Sequence, residues 1–224
     1  MLTITENWKT TYPGASIGIL IMKGVSNPKS HPELDALKSA LEEQLRTQFA
    51  DFDRSALREL PTLKAYHAYY KSFKKTYHVQ LQLESIVFKG KSIVSVTSLV
   101  ETMFTAELKN QLLTAGHDLE IVQQPVGVFV ADGGESFTRI NGQEQQLKAG
   151  DMYIADAESI LSSMIYGPDQ RTRINPKTKQ VLFTVYAPPG IDESTVSSHL
   201  RDIESYVKVI APGAKTDVQE VYGA

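Results

Sequence analysis

Cysteine is absent from the 224-residue sequence. That removes disulfides, thiolate nucleophiles and cysteine-ligated zinc or iron–sulfur centres together, so packing has to carry the stability and thiol redox chemistry is excluded. No apolar run reaches the roughly 20 residues that cross a bilayer. The opening Met1-Leu2-Thr3-Ile4-Thr5-Glu6 has neither a basic end nor a signal-like apolar stretch. The expectation is a cytoplasmic protein with no membrane partner. Positive charge is not in excess either: 23 Lys and Arg stand against 26 Asp and Glu, a formal charge of −3. Proteins that coat nucleic acid nonspecifically neutralise phosphates and usually show a basic excess, so that class is disfavoured. Two local clusters remain, Lys71, Lys74 and Lys75, and Arg171, Arg173, Lys177 and Lys179. Each also reads as an ordinary solvated face. The histidines His31, His67, His78, His117 and His199 show no H-x-H, H-x-x-x-H or H-E-x-x-H spacing. No metal site is therefore expected.

What is present is an ordinary core: 42% of residues are apolar, enough to exclude disorder of the whole chain. No repeat, linker or low-complexity stretch forces a split, so residues 1–224 are expected to form one domain. Residues 15–25 alternate, with Ile17, Ile19 and Ile21 on one side, and predict a strand. Ser30-His31-Pro32-Glu33 offers a capping box, and Leu34, Leu37, Leu41 and Leu45 follow at helical spacing. Shorter helices are predicted over 53–60 and 62–73, separated by Pro61. The second carries Tyr66, Tyr69, Tyr70 and Phe73 along one side, a stripe that suits a core or a base-stacking platform. Two more helices are predicted over 79–88 and 99–108, broken at Lys89-Gly90-Lys91. After Gly116 the pattern changes, and strands are predicted over 126–131, 137–140, 143–147, 152–155, 160–166 and 181–186. Asn141-Gly142 predicts a type I′ hairpin turn, and a last helix is predicted over 193–209 through Val196, Leu200, Ile203 and Val207. Helices followed by strands give an α+β fold, N-terminal helices packed on a mainly antiparallel β-sheet.

Few strings carry chemistry by themselves. Gly14-Ala15-Ser16-Ile17-Gly18 spells a nucleophile-elbow string, with His199 downstream as a base. An elbow needs a strand before the serine and a helix after it, and here a strand pattern follows. Gly133-Gly134-Glu135 has neither a Walker nor a dinucleotide spacing and reads as a turn. His117 stands where a helical pattern hands over to the sheet, as a functional group or as a helix-terminal histidine meeting the dipole. The densest polar string, Tyr166-Gly167-Pro168-Asp169-Gln170-Arg171-Thr172-Arg173, follows a predicted strand, where loops display binding groups. Its alternative is a structural Asp169–Arg171 ion pair.

Several strings in order carry a resemblance: Leu112-Leu113-Thr114-Ala115-Gly116-His117-Asp118, Gly133-Gly134-Glu135, Asn141-Gly142, Gly150-Asp151-Met152, Ile154-Ala155-Asp156, Gly167-Pro168-Asp169-Gln170-Arg171-Thr172 and Val181-Leu182-Phe183. Over roughly 66–187 the sequence resembles the B-three/B-four domain family, the tRNA-binding and editing module of the phenylalanyl-tRNA synthetase beta chain, in free-standing form. The resemblance implies a hydrolase of translation quality control that binds the aminoacylated 3′ end of tRNA and deacylates it in trans. It implies no cofactor and no stable synthetase subunit partner, and aminoacylation by this chain is excluded. Catalytic candidates are His117, Asp169 and Arg171. Substrate-binding candidates are Lys71, Asn110, Tyr166, Gly167, Thr172 and Thr184. In this assignment Arg171 and Lys71 hold ribose or phosphate oxygens, and Asp169 or His117 orients water or the α-amino group. Thr184 stands where the synthetase carries a glutamate that reads a tyrosine hydroxyl, and a threonine brings no charge, so selection for tyrosine does not carry over. Two alternatives stay open: a non-catalytic module binding tRNA or an amino acid, and a small-molecule enzyme on the same scaffold.

Overall fold

The structure, a computed structural model, describes residues 2–224. The chain begins with β1 (Leu2–Ile4) and α1 (Glu6–Thr11), then crosses the molecule as β2 (Ser16–Lys23). A helical layer follows: α2 (Pro32–Gln48), α3 (Arg54–Arg58), α4 (Pro61–Ser72), α5 (His78–Lys89) and α6 (Ser98–Asn110). The strands β3 (Leu113–Asp118), β4 (Val126–Val130), β5 (Ser136–Thr138), β6 (Glu144–Gln146), β7 (Met152–Ala155), β8 (Ile160–Ser163), β9 (Gly167–Pro168) and β10 (Gln180–Ala187) come next. Helix α7 (Glu193–Ile210) and strand β11 (Lys215–Gly223) close the chain. One sheet runs β11-β2-β10-β3, all antiparallel, and another runs β1-β4-β7-β8-β9, antiparallel except at β1 and β4. The α+β expectation holds, with one addition: the N-terminal strand β2 sits inside the first sheet, beside the C-terminal β10 and β11.

The alternation of β2 explains its place. Ile17, Ile19 and Ile21 stand opposite Tyr186, Thr184 and Leu182 of β10, so one face of each strand enters the space between the layers. On the other face α7 packs its buried stripe Val196, Leu200, Ile203 and Val207 against β2. Gly18 makes that approach possible, since a Cβ there would lie 2.7 Å from Val196 Cγ1 and 3.3 Å from Leu200 Cδ2. Among the described residues no helix is long and apolar enough to cross a membrane.

Several local expectations are corrected. The capping box at Ser30 does not form: His31 occupies the N-cap without a side-chain cap bond, and Pro32 opens α2 with its preset φ. The 141–142 turn is not type I′, because Gly142 has φ +82° while Asn141 is not in the left-handed region. Arg139 N–H bonds the Gln143 carbonyl and Gly142 N–H bonds the Arg139 carbonyl, the three-residue loop with a glycine bulge. Segment 160–166 is not one strand. It ends at Ser163, turns over 164–166, and returns as β9 alongside β8. Finally, α6 stops at Asn110 with Gln111 left-handed, so His117 lies within β3 and meets no helix terminus. Ala115 and Gly116 have little strand propensity, and pairing with β10 decides their conformation. Ser16 of the elbow string is a buried residue at the start of β2, with no helix after it.

Gly18→Val should overpack the α7–β2 contact and lower stability by about 1–3 kcal/mol, read as a lower urea midpoint at an unchanged denaturant slope. An unchanged midpoint would show that α7 docks elsewhere.

Candidate functional site

Strand β3 is an edge strand, bridged on its outer side by His117–Arg173 and otherwise without a neighbouring strand there. Antiparallel alternation sends the N–H groups of Thr114, Gly116 and Asp118 away from β10. Two of them are capped within the fold: Thr114 N–H bonds Glu107 Oε1 at 2.7 Å, and Asp118 N–H bonds the Thr172 carbonyl at 2.7 Å. Gly116 lies between them, facing a cavity of about 280 Å³. One face of α6 supplies one wall through Val100, Met103, Phe104 and Glu107. Ser163, Gly167 and Pro168 close the opposite side, with Tyr186 beneath and His78 and Gln82 at the rim. Gly167 has φ +78°, a conformation that favours glycine, and it lets the β8–β9 turn reach the cavity.

The tyrosine stripe of α4 is core, and it fixes the cavity walls. Tyr66 donates its hydroxyl to the Tyr186 carbonyl and accepts the Leu113 N–H at 2.8 Å. These two backbone groups belong to residues that face each other across the β3–β10 pairing. Tyr70 donates to the Met164 carbonyl at 2.6 Å. Tyr69 donates to Asp151 Oδ1 at 2.9 Å and accepts Met152 N–H at 2.6 Å. Ser163 points its hydroxyl at the other Asp151 oxygen, 2.7 Å away, and accepts Tyr166 N–H at 3.0 Å. Burial pushes the Asp151 carboxyl up to about 6, against the bonds from Ser163 and Tyr69.

Glu107 sets the electrostatics. Its side chain is only 1% exposed, and burial pushes its carboxyl up to about 8, against the Thr114 N–H that pulls it down. At neutral pH the cavity therefore holds mostly a neutral carboxylic acid, a donor as well as an acceptor. Behind Thr114 stands His199, whose Nε2 is 2.7 Å from Thr114 Oγ1 and whose Nδ1 is 3.1 Å from Asn110 Nδ2. The Asn110 amide donates to Nδ1, so the ring proton sits on Nε2 and goes to Thr114. Burial lowers this imidazole to about 3, and it is neutral at physiological pH.

The residues singled out in the sequence divide into groups. His117, Asp169 and Thr172 come together and are fully or almost fully buried. The Thr172 hydroxyl donates to Asp169 Oδ1 and so accepts from His117 Nδ1 at 2.8 Å, while His117 Nε2 has no partner. Arg171 lies beyond Asp169, but its nearest carboxylates are Asp156 at 2.7 Å and Glu158 at 3.1 Å, with Asp169 at 3.8 Å. The simple Asp169–Arg171 pair is thus replaced by a carboxylate cluster that neutralises the guanidinium. Of the nine residues, Gly167 lines the cavity. Tyr166 packs half-buried on a small cluster with Phe137 and Ile160, and Lys75 Nζ stands 5.9 Å from its ring centroid. Asn110 is spent on His199 and Asp202. Thr184 is buried in mid-β10 opposite Ala115 and Ile19, its hydroxyl without a partner. Lys71 is exposed in the last turn of α4.

Sequence reasoning passed over Glu107, Thr114, Ser163 and Tyr186. One signal was available: Val100, Met103, Phe104 and Glu107 follow helical i, i+3, i+4, i+7 spacing, so an acid stands in an apolar stripe. Among the described residues no three His, Asp or Glu side chains gather as a metal site.

Residues 64–207 match the sequence profile of the family described as B3/4 domain. The structure also superposes on an N-terminal fragment of the phenylalanyl-tRNA synthetase beta-subunit from Pyrococcus horikoshii, with a TM-score of 0.51 and 12% identity, over 100% of this chain and 54% of that one. The chain spans about half the length of that fragment, and at this identity the likeness concerns the fold. No curated protein matches the sequence.

A carboxyl that the fold keeps protonated stabilises fully below its ordinary value of 4.5 and loses that contribution as pH climbs to about 8. Wild-type stability should therefore carry a Glu107 component that declines by about 1.4 kcal/mol per pH unit across that window. His199 acts in the opposite sense, contributing above 6.5 and losing its contribution as pH falls toward about 3. Glu107→Gln keeps an acceptor for Thr114 N–H and should flatten the urea midpoint between pH 6.5 and about 8, where His199 no longer titrates. Parallel declines in both proteins would place the loss on another group. Tyr66→Phe should cost about 1–3 kcal/mol by stranding a buried donor and acceptor, and an unchanged melting curve would show that Leu113 and Tyr186 satisfy each other.

Proposed function

The chain belongs to the B3/4 domain family, and from that premise we propose that it binds the aminoacylated 3′ end of tRNA and hydrolyses the ester of mischarged aminoacyl-tRNA in trans. What carries this reading is the cavity on the free edge of β3, a small, mainly apolar recess whose lining includes Gly116, Glu107, Ser163 and Tyr186. At about 280 Å³ it lies at the small end of ligand pockets, a size suited to an amino-acid side chain. The apolar walls Val100, Met103 and Phe104 select the side chain by volume, and such selection is modest, on the order of 1–3 kcal/mol per methylene. The continuous apolar core that joins both sheets to the helices supports reading the chain as one domain.

The chemistry asked of the site is small. An aminoacyl ester is already activated, so placing its carbonyl against a fixed donor, with a water on the open face, supplies much of the rate. Gly116 N–H is the donor to the carbonyl oxygen as negative charge develops there. Water adds to the carbonyl carbon, the bond to the ribose oxygen breaks, and the proton lost by the water passes to that oxygen. Glu107, with its raised pKa, hydrogen-bonds a polar group of the amino acid without placing a full charge in the cavity. His117, Asp169 and Thr172 act as positioning residues. They hold the segment that presents Gly167 and Pro168 to the cavity, and Asp118 N–H ties that segment to β3. The exposed lysines Lys71, Lys74 and Lys75, with Lys148 close by, offer the phosphate contacts that a chain of net charge −3 has to concentrate locally. Lys75 leans over Tyr166, beside Gly167.

The test is deacylation of a panel of mischarged aminoacyl-tRNAs by the purified protein. At least one member should be hydrolysed, and Glu107→Leu, which removes the neutral donor and acceptor, should lower kcat/KM on it by about tenfold, the usual loss for a hydrogen bond to the reacting assembly. Lys74→Glu with Lys75→Glu should weaken tRNA binding and flatten its salt dependence by about one unit of slope per lost contact. Salt-sensitive binding with no turnover of any member would leave the non-catalytic binding module as the function. Neither binding nor turnover would end the tRNA reading.

A further inference from the structure

Beside the cavity lies a second recess of about 360 Å³ between α5, α6 and the segment 91–94. The two are not independent, because His78, Gln82 and Phe104 line both. Phe104 and Gln82, both partly exposed, mark the junction, since each lines both recesses. The second recess differs in chemistry. Its sides are exposed apolar surface, Leu81 at 46% and Val94 at 56%, while Gln82, Ser85 and Ser92 bring donors and acceptors to its edge and Lys91 stands at its rim. No carboxylate lines it among the described residues. Its outer wall is fixed from behind: Glu42 Oε1 takes Ile93 N–H at 2.7 Å, and Arg46 donates to the carbonyls of Ile86 and Lys91 at 3.3 and 3.1 Å. It is therefore a preformed slot.

We infer that this slot seats the terminal nucleobase of the acceptor end, the ribose crossing the Phe104–Gln82 junction while the aminoacyl group enters the first cavity. The inference rests on the reading above. An aminoacylated end is one molecule with two recognisable parts joined through a sugar, and two recesses sharing one wall match that connectivity. A base is a flat apolar face with a polar edge, which suits the sides Leu81, Val94 and Phe104 and the edge groups Gln82, Ser85 and Ser92. The phosphate attached to that nucleoside meets Lys91, and the absence of carboxylates in the lining keeps the slot open to an anion. An apolar peptide or a second copy of the chain would use the apolar sides but has no need of the junction.

The test uses the full chain and non-hydrolysable probes, 3′-aminoacylamino-3′-deoxyadenosines carrying alanine, phenylalanine or tyrosine, each compared by calorimetry with the same amino-acid amide on a base-free furanose. Wild type should bind at least one adenosine conjugate tighter than its base-free partner. Ser85→Trp and Ser92→Trp, both on accessible surface and outside the first cavity, fill the slot. Each should weaken the conjugate by about tenfold, the loss expected of one stacked base, and leave the base-free amide unchanged. Equal affinity of conjugate and base-free amide in wild type, or conjugate affinity unmoved by both variants, would overturn the slot and leave the first cavity standing. Failure of every probe, together with an inactive deacylation panel, would overturn both. A wild-type dimer that Ser85→Trp converts to monomer in sedimentation, with conjugate affinity intact, would give the slot to a second copy and also overturn the inference.

Discussion

Where the edge of one sheet meets the turn of another, backbone groups are buried away from water and have to find partners. In this protein the phenols of α4 meet that requirement. Tyr66 satisfies a donor on β3 and an acceptor on β10, Tyr70 an acceptor in the 164–166 turn, and Tyr69 a donor on β7. Each hydroxyl is anchored on one helix face at helical spacing, so α4 sets the relative positions of the strand edge and the turn that enclose the cavity. Ring contacts reinforce the geometry, with Tyr66 stacked on Tyr77 at 4.1 Å between centroids. Burial holds the Tyr66, Tyr69 and Tyr70 phenols protonated, so they serve as donors at neutral pH.

The same burial shapes the charge of the site. Glu107 bonds the Thr114 N–H and His199 its hydroxyl, one kept neutral by a raised pKa and the other by a lowered one. An ionised acid in the cavity would repel a phosphate-linked ligand, and an ionised histidine behind it would strand a charge in the core. Neutral partners with fixed hydrogen bonds leave a polar surface that costs little to desolvate. Charge is instead kept outside, in lysines on the α4 end and at the slot rim, where solvent screens it.

Much of the fold was readable from periodicity. The leucine spacing of α2 and the stripe of α7 each report one buried helix face, and the β-branched run of β2 reports a strand buried on both faces. Of the string around Gly167, only Gly167 and Pro168 line the cavity. What failed were elements whose conformation is decided by a distant partner. β3 has few strand-forming residues and is made a strand by β10. The 160–168 segment looks like one strand because nothing local reveals that Ser163 will bond Asp151 and turn the chain. Asn141-Gly142 shows a subtler limit, since one sequence pair serves two turn geometries and the strands choose between them.

The site follows the same division. Composition and spacing by themselves established that no thiol is available, that no short-range metal motif exists and that α4 carries an aromatic face, because each is a property of residues close together in the chain. Tertiary structure alone decided that Arg171 is neutralised by Asp156 and Glu158, that His117 is locked inside β3, and that Glu107, Gly116, Ser163 and Tyr186 surround one cavity. Those contacts join segments far apart in sequence, and their energies depend on desolvation, which no residue possesses until its neighbours have excluded water.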